Sequence, residues 1–413
     1  MVIPGPAWLS EDGRRILLAR GLRTFGYGIV GVVLGVHVAE LGLGGFELGV
    51  LLAAAFAGST VFTILVVMHA DRLGRRRSLR LFAGLMAVTG VAYAVSDQFW
   101  LLLLVSMSGT ISAGIQEVGP FLSIEQALLP QTAPDERRTR VFTLYNLAGT
   151  GAAALGALFA GGVASAASLI GFDPLSGHRI LFGTYALMAV GTLALIMGLS
   201  PAVERGPAPA LAGFLGIHRS RQIVLRLTML FGVDSFGGAF IGQSFVAYWF
   251  TLHFGVGVEE LGPIFAASNL LAALSQIIAE RLATRIGLIN TMVFSHIPAN
   301  LFVIAMAFAP TLPIAIALQL CRSLLAQMDV PTRQSYLMAV VDPTERTAAA
   351  GFTTVGRNIA QSIAPPIAGL ALQSPLIGLP LILGGVIKIG YDLALWRMFR
   401  TTKPPEEVAA AQG

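Results

Sequence analysis

Charge is scarce in this chain: Asp, Glu, Lys and Arg together make up 12% of 413 residues, while 55% are hydrophobic. With a mean hydropathy of +0.75, that much apolar surface cannot be hidden inside a water-soluble globule of this size. Cysteine is almost absent, and the lone Cys321 excludes an internal disulfide and any cysteine-based metal cluster. The six histidines are scattered, with His37 and His253 near outer helix ends and His69 and His218 in cytoplasmic segments, so no metal site shows at recognisable spacing. There is no Gly-x4-Gly-Lys-Ser/Thr loop, which excludes direct use of ATP, and no Gly-x-Ser-x-Gly elbow or other catalytic constellation. An enzyme, a metal or a cofactor is therefore not expected. No alternating pattern suggests a β-barrel.

What the chain has instead is long apolar runs. A membrane-crossing helix needs about 20 apolar residues. About twelve such spans can be laid out, at 16–40, 46–68, 79–96, 99–124, 140–163, 180–200, 224–250, 261–281, 289–309, 312–334, 347–372 and 375–397. The first follows Arg14-Arg15, has no small-residue cleavage site and is too long for a signal peptide, so it should remain in the mature protein. Of 27 Lys and Arg, 21 fall on one side of this layout, which places both termini in the cytoplasm by the positive-inside bias. The formal charge of +5 is thus a matter of topology, and nucleic acid is not an expected partner. The partner expected from these runs is a lipid bilayer.

The chain repeats itself. Leu41 to Gly49 resembles Phe254 to Gly262, and Ala70-Asp71-Arg72-Leu73-Gly74 faces Ala283-Thr284-Arg285-Ile286-Gly287 at the same offset. Glu125-Gln126 and Pro134 to Arg137 are echoed by Arg333-Gln334 and Pro343 to Arg346. Ordered matches at a nearly constant offset mark an internal duplication. The reading is all-α, with twelve transmembrane helices in two pseudo-symmetric six-helix bundles. They occupy 1–200 and 222–413, joined by a polar, proline-containing linker at 201–221.

The sharpest motif lies between the second and third spans, at His69 to Arg77. Asp71, Arg72, Gly74, Arg75 and Arg76 match the Gly-x-x-x-Asp-Arg-x-Gly-Arg-Arg signature of the major facilitator superfamily, which this chain resembles over essentially its whole length. Val67 stands where that signature begins with Gly, and Ala157 where many antiporters of the family carry a Pro in helix 5. The resemblance, nearest to bacterial multidrug and small-molecule efflux members, implies a secondary transporter. It would work by alternating access as a monomer in the inner (plasma) membrane, with cargo held near the midplane between the repeats. Helices 1, 4, 7 and 10 line the central cavity in such proteins.

Charges within a bilayer cost about 2.5–3.5 kcal/mol each on insertion scales, so each needs a reason. Asp234 is the first candidate for a proton-coupling carboxylate and Glu117, beside Pro120, the second. Apolar burial favours the protonated carboxyl and an arginine neighbour the ionised one, so a site alternating between them exchanges a proton. The alternative for Asp234 is a static ion pair with Arg20 or Arg23. Cavity candidates are Arg20, Arg23, Tyr27, Arg322, Gln327, Asp329 and Arg357. Arg322 either binds an anionic part of the cargo or neutralises Asp329 or Glu117. Glu125, Arg333, Glu136 and Arg346 are expected as latches between the bundles. Lys388 and Asp392, spaced i, i+4, are expected to neutralise each other. The expected function is proton-coupled export of an amphipathic, drug-like compound. The alternatives are transport of a small organic anion and a non-transporting receptor on the same scaffold.

Overall fold

The computed structural model describes residues 8–111, 119–134, 137–204, 218–342 and 345–402. Among them the chain is helical throughout, with no strand. The helices are α1 (Glu11–Glu40), α2 (Gly45–Leu73), α3 (Arg75–Val95), α4 (Phe99–Ser106), α5 (Pro120–Leu128), α6 (Arg138–Leu169) and α7 (Pro174–Met197). They continue as α8 (Arg221–Phe240), α9 (Gln243–Phe254), α10 (Val258–Ile286), α11 (Leu288–Met306), α12 (Leu312–Leu325), α13 (Asp329–Val340), α14 (Arg346–Leu372) and α15 (Leu379–Phe399). Nine stretches among the described residues are long and apolar enough to cross a bilayer. The three remaining spans of the twelve-span reading correspond to α4–α5, α12–α13 and α14. Large apolar side chains such as Leu104, Leu155, Leu187, Leu270 and Ile277 stand exposed along the helices, surface that suits contact with lipid.

The duplication is visible in the backbone. α2 and α3 correspond to α10 and α11 at an offset of 213 residues, and the single-residue breaks within each pair are Gly74 (φ 76°) and Gly287 (φ 87°). A positive φ costs a residue with a Cβ about 1–2 kcal/mol, which explains why glycine stands at both breaks.

Three expected single helices are instead broken. The 99–124 span divides into α4 and α5, whose first residue is Pro120. The 224–250 span breaks at Ile241-Gly242, where the Ile241 N–H closes a tighter turn onto the Gly238 carbonyl, at 3.2 Å, in a stretch weakened by Gly237, Gly238 and Gly242. The 312–334 span breaks at 326–328. Pro331 supplies the reason, because it has no N–H and its ring crowds the carbonyl of Gln327 four residues back.

By contact the chain forms two compact units: unit 1, Met1–Ala210 with Gln243–Asn269, and unit 2, Leu211–Gly242 with Leu270–Gly413. In unit 1, α1 packs against α6, α7 and α9, and α3 against α7. The α1–α6 approach depends on small residues, since a Cβ at Gly28 would overlap the Ala153 carbonyl and one at Gly156 the Phe25 carbonyl. Leu79, Phe82, Phe121, Ile124 and Tyr145 are among its core residues. In unit 2, α8 packs against α14 and α15, and α11 against α12, α13 and α15. Its core includes Leu227, Phe231, Met292, Tyr336, Tyr391 and Leu395.

Candidate functional site

Most of the buried charges among the described residues gather into two clusters, one in each unit. In unit 1, Arg23 of α1 and Glu125 of α5 are 0% and 1% exposed and form a bidentate pair. Arg23 Nη1 donates to Oε1 at 3.0 Å and Nη2 to Oε2 at 2.7 Å. Tyr145 of α6 adds its hydroxyl to Oε2 at 2.7 Å. Arg23 also lies over the Phe121 ring, 4.2 Å from its centroid, and Arg20 over the Tyr145 ring at 4.5 Å. Tyr27, one turn further along α1, is buried with its ring 6.4 Å from that of Tyr185.

In unit 2 the centre is Asp234 of α8, 4% exposed. Lys388 of α15 donates to its Oδ1 at 2.5 Å, and Arg333 of α13 to its Oδ2 at 3.1 Å. The same Arg333 nitrogen reaches Asp329, one turn earlier on α13, at 2.8 Å, while its guanidinium lies 5.5 Å from the Phe231 ring centroid. One carboxylate is thus shared by two cations, and one cation by two carboxylates. Asp392 of α15 bonds instead to His296 Nδ1 of α11 at 2.9 Å and to Asn300 Nδ2 at 3.4 Å. Arg357 of α14 donates through Nε to Ser235 Oγ at 3.0 Å. Arg322 of α12 is only partly buried and donates at 3.3 Å to Gln319 Oε1 and at 3.4 Å to the Ile241 carbonyl that ends α8. Gln327 is half-buried in the break after α12.

Several residues have partners other than those expected from the sequence. Asp234 is paired with Lys388 and Arg333, and Arg23 with Glu125, so the anticipated pairing of Asp234 with Arg20 or Arg23 is not formed. Glu125 and Arg333, expected as latches, are each held by partners within their own unit. Lys388 and Asp392 share a helix face, but their hydrogen bonds go to different helices. The i, i+4 spacing indicated proximity and missed the stronger partners offered by α8 and α11. Arg322 does not neutralise Asp329, which belongs to Arg333. Glu117, Glu136 and the side chains of Asp71 and Arg72 lie outside the described residues. Arg346, at the start of α14, is exposed.

Around the signature turn, the backbone N–H groups of Arg75 and Arg76 donate to Glu204 at 2.7 and 3.0 Å, so this carboxylate closes the positive end of α3. Arg75 is buried against the Val203 carbonyl. In unit 2, Glu345 accepts from the backbone N–H groups of His218 and Arg219, both at 2.8 Å, and Ser220, at 2.9 Å, just before α8. Those donors hold its carboxyl at about 2, well below the usual range. Sequence reasoning assigned no role to Glu204, Glu345, His296, Asn300 or Ser235. His296 alone carried a signal, as a titratable side chain in the middle of an apolar span.

The major facilitator superfamily model matches residues 16–365 and 229–413. The chain is similar to the uncharacterised membrane protein YJR124C of Saccharomyces cerevisiae, 26% identical over 94% of either protein. It is also similar to the quinolone resistance protein NorA of Staphylococcus aureus, 28% identical over 42% of this chain and 40% of that one. Among solved structures the nucleoside transporter NupG superposes with a TM-score of 0.74 at 15% identity, covering 94% of this chain and 99% of that one, which establishes the fold alone. With the signature turn, the duplicated helices and the match along its length, this chain belongs to the major facilitator superfamily: it is a multi-pass membrane transporter, not an enzyme.

Proposed function

We propose that this protein exports an amphipathic small molecule in exchange for protons, with Asp234 as the carboxylate on which the proton is exchanged. The observation that carries the reading is the sharing of buried Asp234 between Lys388 and Arg333. Such a carboxylate is costly to bury without partners and is stabilised by these two. A proton on Asp234 cancels its charge and releases Lys388, while Arg333 retains Asp329. The cluster is therefore balanced when Asp234 is ionised and carries one uncompensated cation, Lys388, when it is protonated, so proton uptake changes its pairing as a coupling site needs. Partial likeness to NorA supports an exported, drug-like cargo. The basic Gly74 turn and both termini lie on the cytoplasmic side in this reading, the membrane is the cell's plasma membrane, and the monomer is the working unit.

The test is transport in proteoliposomes under an imposed pH gradient. Wild-type protein moves its cargo faster with the gradient than without. Asp234→Asn retains gradient-independent exchange and loses the acceleration. Acceleration that survives Asp234→Asn refutes Asp234 as the coupling group.

A further inference from the structure

Among the buried and half-buried charges on the helices of unit 2 are four cations, Arg322, Arg333, Arg357 and Lys388, and three carboxylates, Asp234, Asp329 and Asp392. All three carboxylates are taken, two by Arg333 and Lys388 and the third by His296 and Asn300. Arg322 and Arg357 are left without a carboxylate at ion-pair distance among the described residues. A guanidinium carries five N–H donors. Arg357 uses one of them, on a serine hydroxyl. Arg322 uses two, both long, on a glutamine and on a backbone carbonyl.

Arg322 is the more telling of the two. It lies ten residues into α12 from Leu312, about 15 Å at 1.5 Å per residue, hence near the middle of a hydrocarbon core about 30 Å thick. A phospholipid headgroup does not reach that depth. The partial negative ends of α8 and α12 offset some of the cost of the charge without neutralising it. On α8, beside the Ile241 carbonyl that Arg322 contacts, Phe236 and Phe240 stack at a tilt with centroids 5.4 Å apart. Apolar rings on the helix whose terminal carbonyl meets an uncompensated planar cation suit a ligand with an aromatic or aliphatic body and a planar anionic head.

We infer that the cargo is an amphipathic organic anion whose carboxylate or sulfonate docks on Arg322, with Arg357 supplying the second positive charge about 9 Å along α8, the rise between Ser235 and Ile241. This rests on the transport reading above, and names its substrate class. Docking the anion gives Arg322 the carboxylate-like partner that it lacks among the described residues.

The experiment is saturable binding to purified wild-type protein without any proton gradient. The probes are naphthalene-sized aromatic carboxylates and sulfonates, their neutral amides, matched quaternary amines, and chloride. Binding by at least one organic anion, no binding by the amide or amine analogues, and roughly tenfold or more weakening in Arg322→Gln with partial recovery in Arg322→Lys are the expected results. Arg322→Lys keeps the charge at the end of α8, and Arg357→Gln provides an independent variant should Arg322→Gln not fold. Preference for the cations, absence of binding by every anion, chloride binding alone, or anion affinity unchanged in a folded Arg322→Gln protein each overturns the inference. The two proposals fail separately. Arg322-dependent anion binding with no proton movement sinks proton exchange and leaves the cargo class standing. Proton movement driven only by cations does the reverse.

Discussion

The Glu125 cluster of unit 1 and the Asp234 cluster of unit 2 are built from the same materials and behave as opposites. Glu125 accepts from one arginine through both oxygens and from one tyrosine. Asp234 is divided between a lysine and an arginine, the arginine is divided again with Asp329, and Arg322 and Arg357 have no carboxylate at ion-pair distance among the described residues. The first holds a single carboxylate through a two-point fork and a hydroxyl. The second shares its carboxylates and its arginine among several partners and carries an excess of positive charge among the described residues. Buried charge alone is therefore a poor sign of function, and the sharing of partners is a better one.

The contrast can be broken at several points. Arg23→Met should have the largest effect on stability, about 3–5 kcal/mol, because it strands a fully buried carboxylate. Thermal unfolding in detergent measures it, and the double variant Arg23→Met with Glu125→Leu should recover much of the loss. Tyr145→Phe removes a hydroxyl donor from a charged acceptor, and its cost should be about 1.5–3 kcal/mol with transport little changed. If Tyr145→Phe instead abolished proton coupling at normal stability, the unit 1 cluster would not be the passive one.

Glu345 gives a pH-dependent prediction. Its folded carboxyl is depressed to about 2 from the ordinary 4.5, so its contribution is complete above about 4.5 and is lost as pH falls toward 2. Glu345→Gln should therefore lower stability at neutral pH and flatten the acid limb of a melting-temperature profile. An acid limb unchanged by the substitution would assign that pH dependence elsewhere. Asn300→Ala should have the smallest effect, below about 1 kcal/mol, because its 3.4 Å contact to Asp392 is long and His296 remains.

Much of the fold was legible in the chain, because a helix that must satisfy its backbone within a bilayer leaves a long apolar run for each crossing. The duplication was legible too, and the glycines at 74 and 287 mark the same turn in both copies. The breaks were not, although Pro331 and the glycines around 241 carried the signal. The charged residues themselves stood out against apolar runs. Their partners did not, since Arg23 meets Glu125 across 102 residues and Lys388 meets Asp234 across 154. Helical spacing reports which residues share a face and says nothing of what another helix brings to it. Thus Lys388 with Asp392 was the reading available, and the pairings to α8 and α11 belong to the folded chain alone.

The most direct test of the account is proton flux in proteoliposomes loaded with a pH-sensitive dye, triggered by adding whichever anion the binding panel identifies. The account predicts that wild-type protein moves protons when the anion is added, and that Asp234→Asn binds the anion with similar affinity and moves none. Proton flux of wild-type size in Asp234→Asn would contradict it.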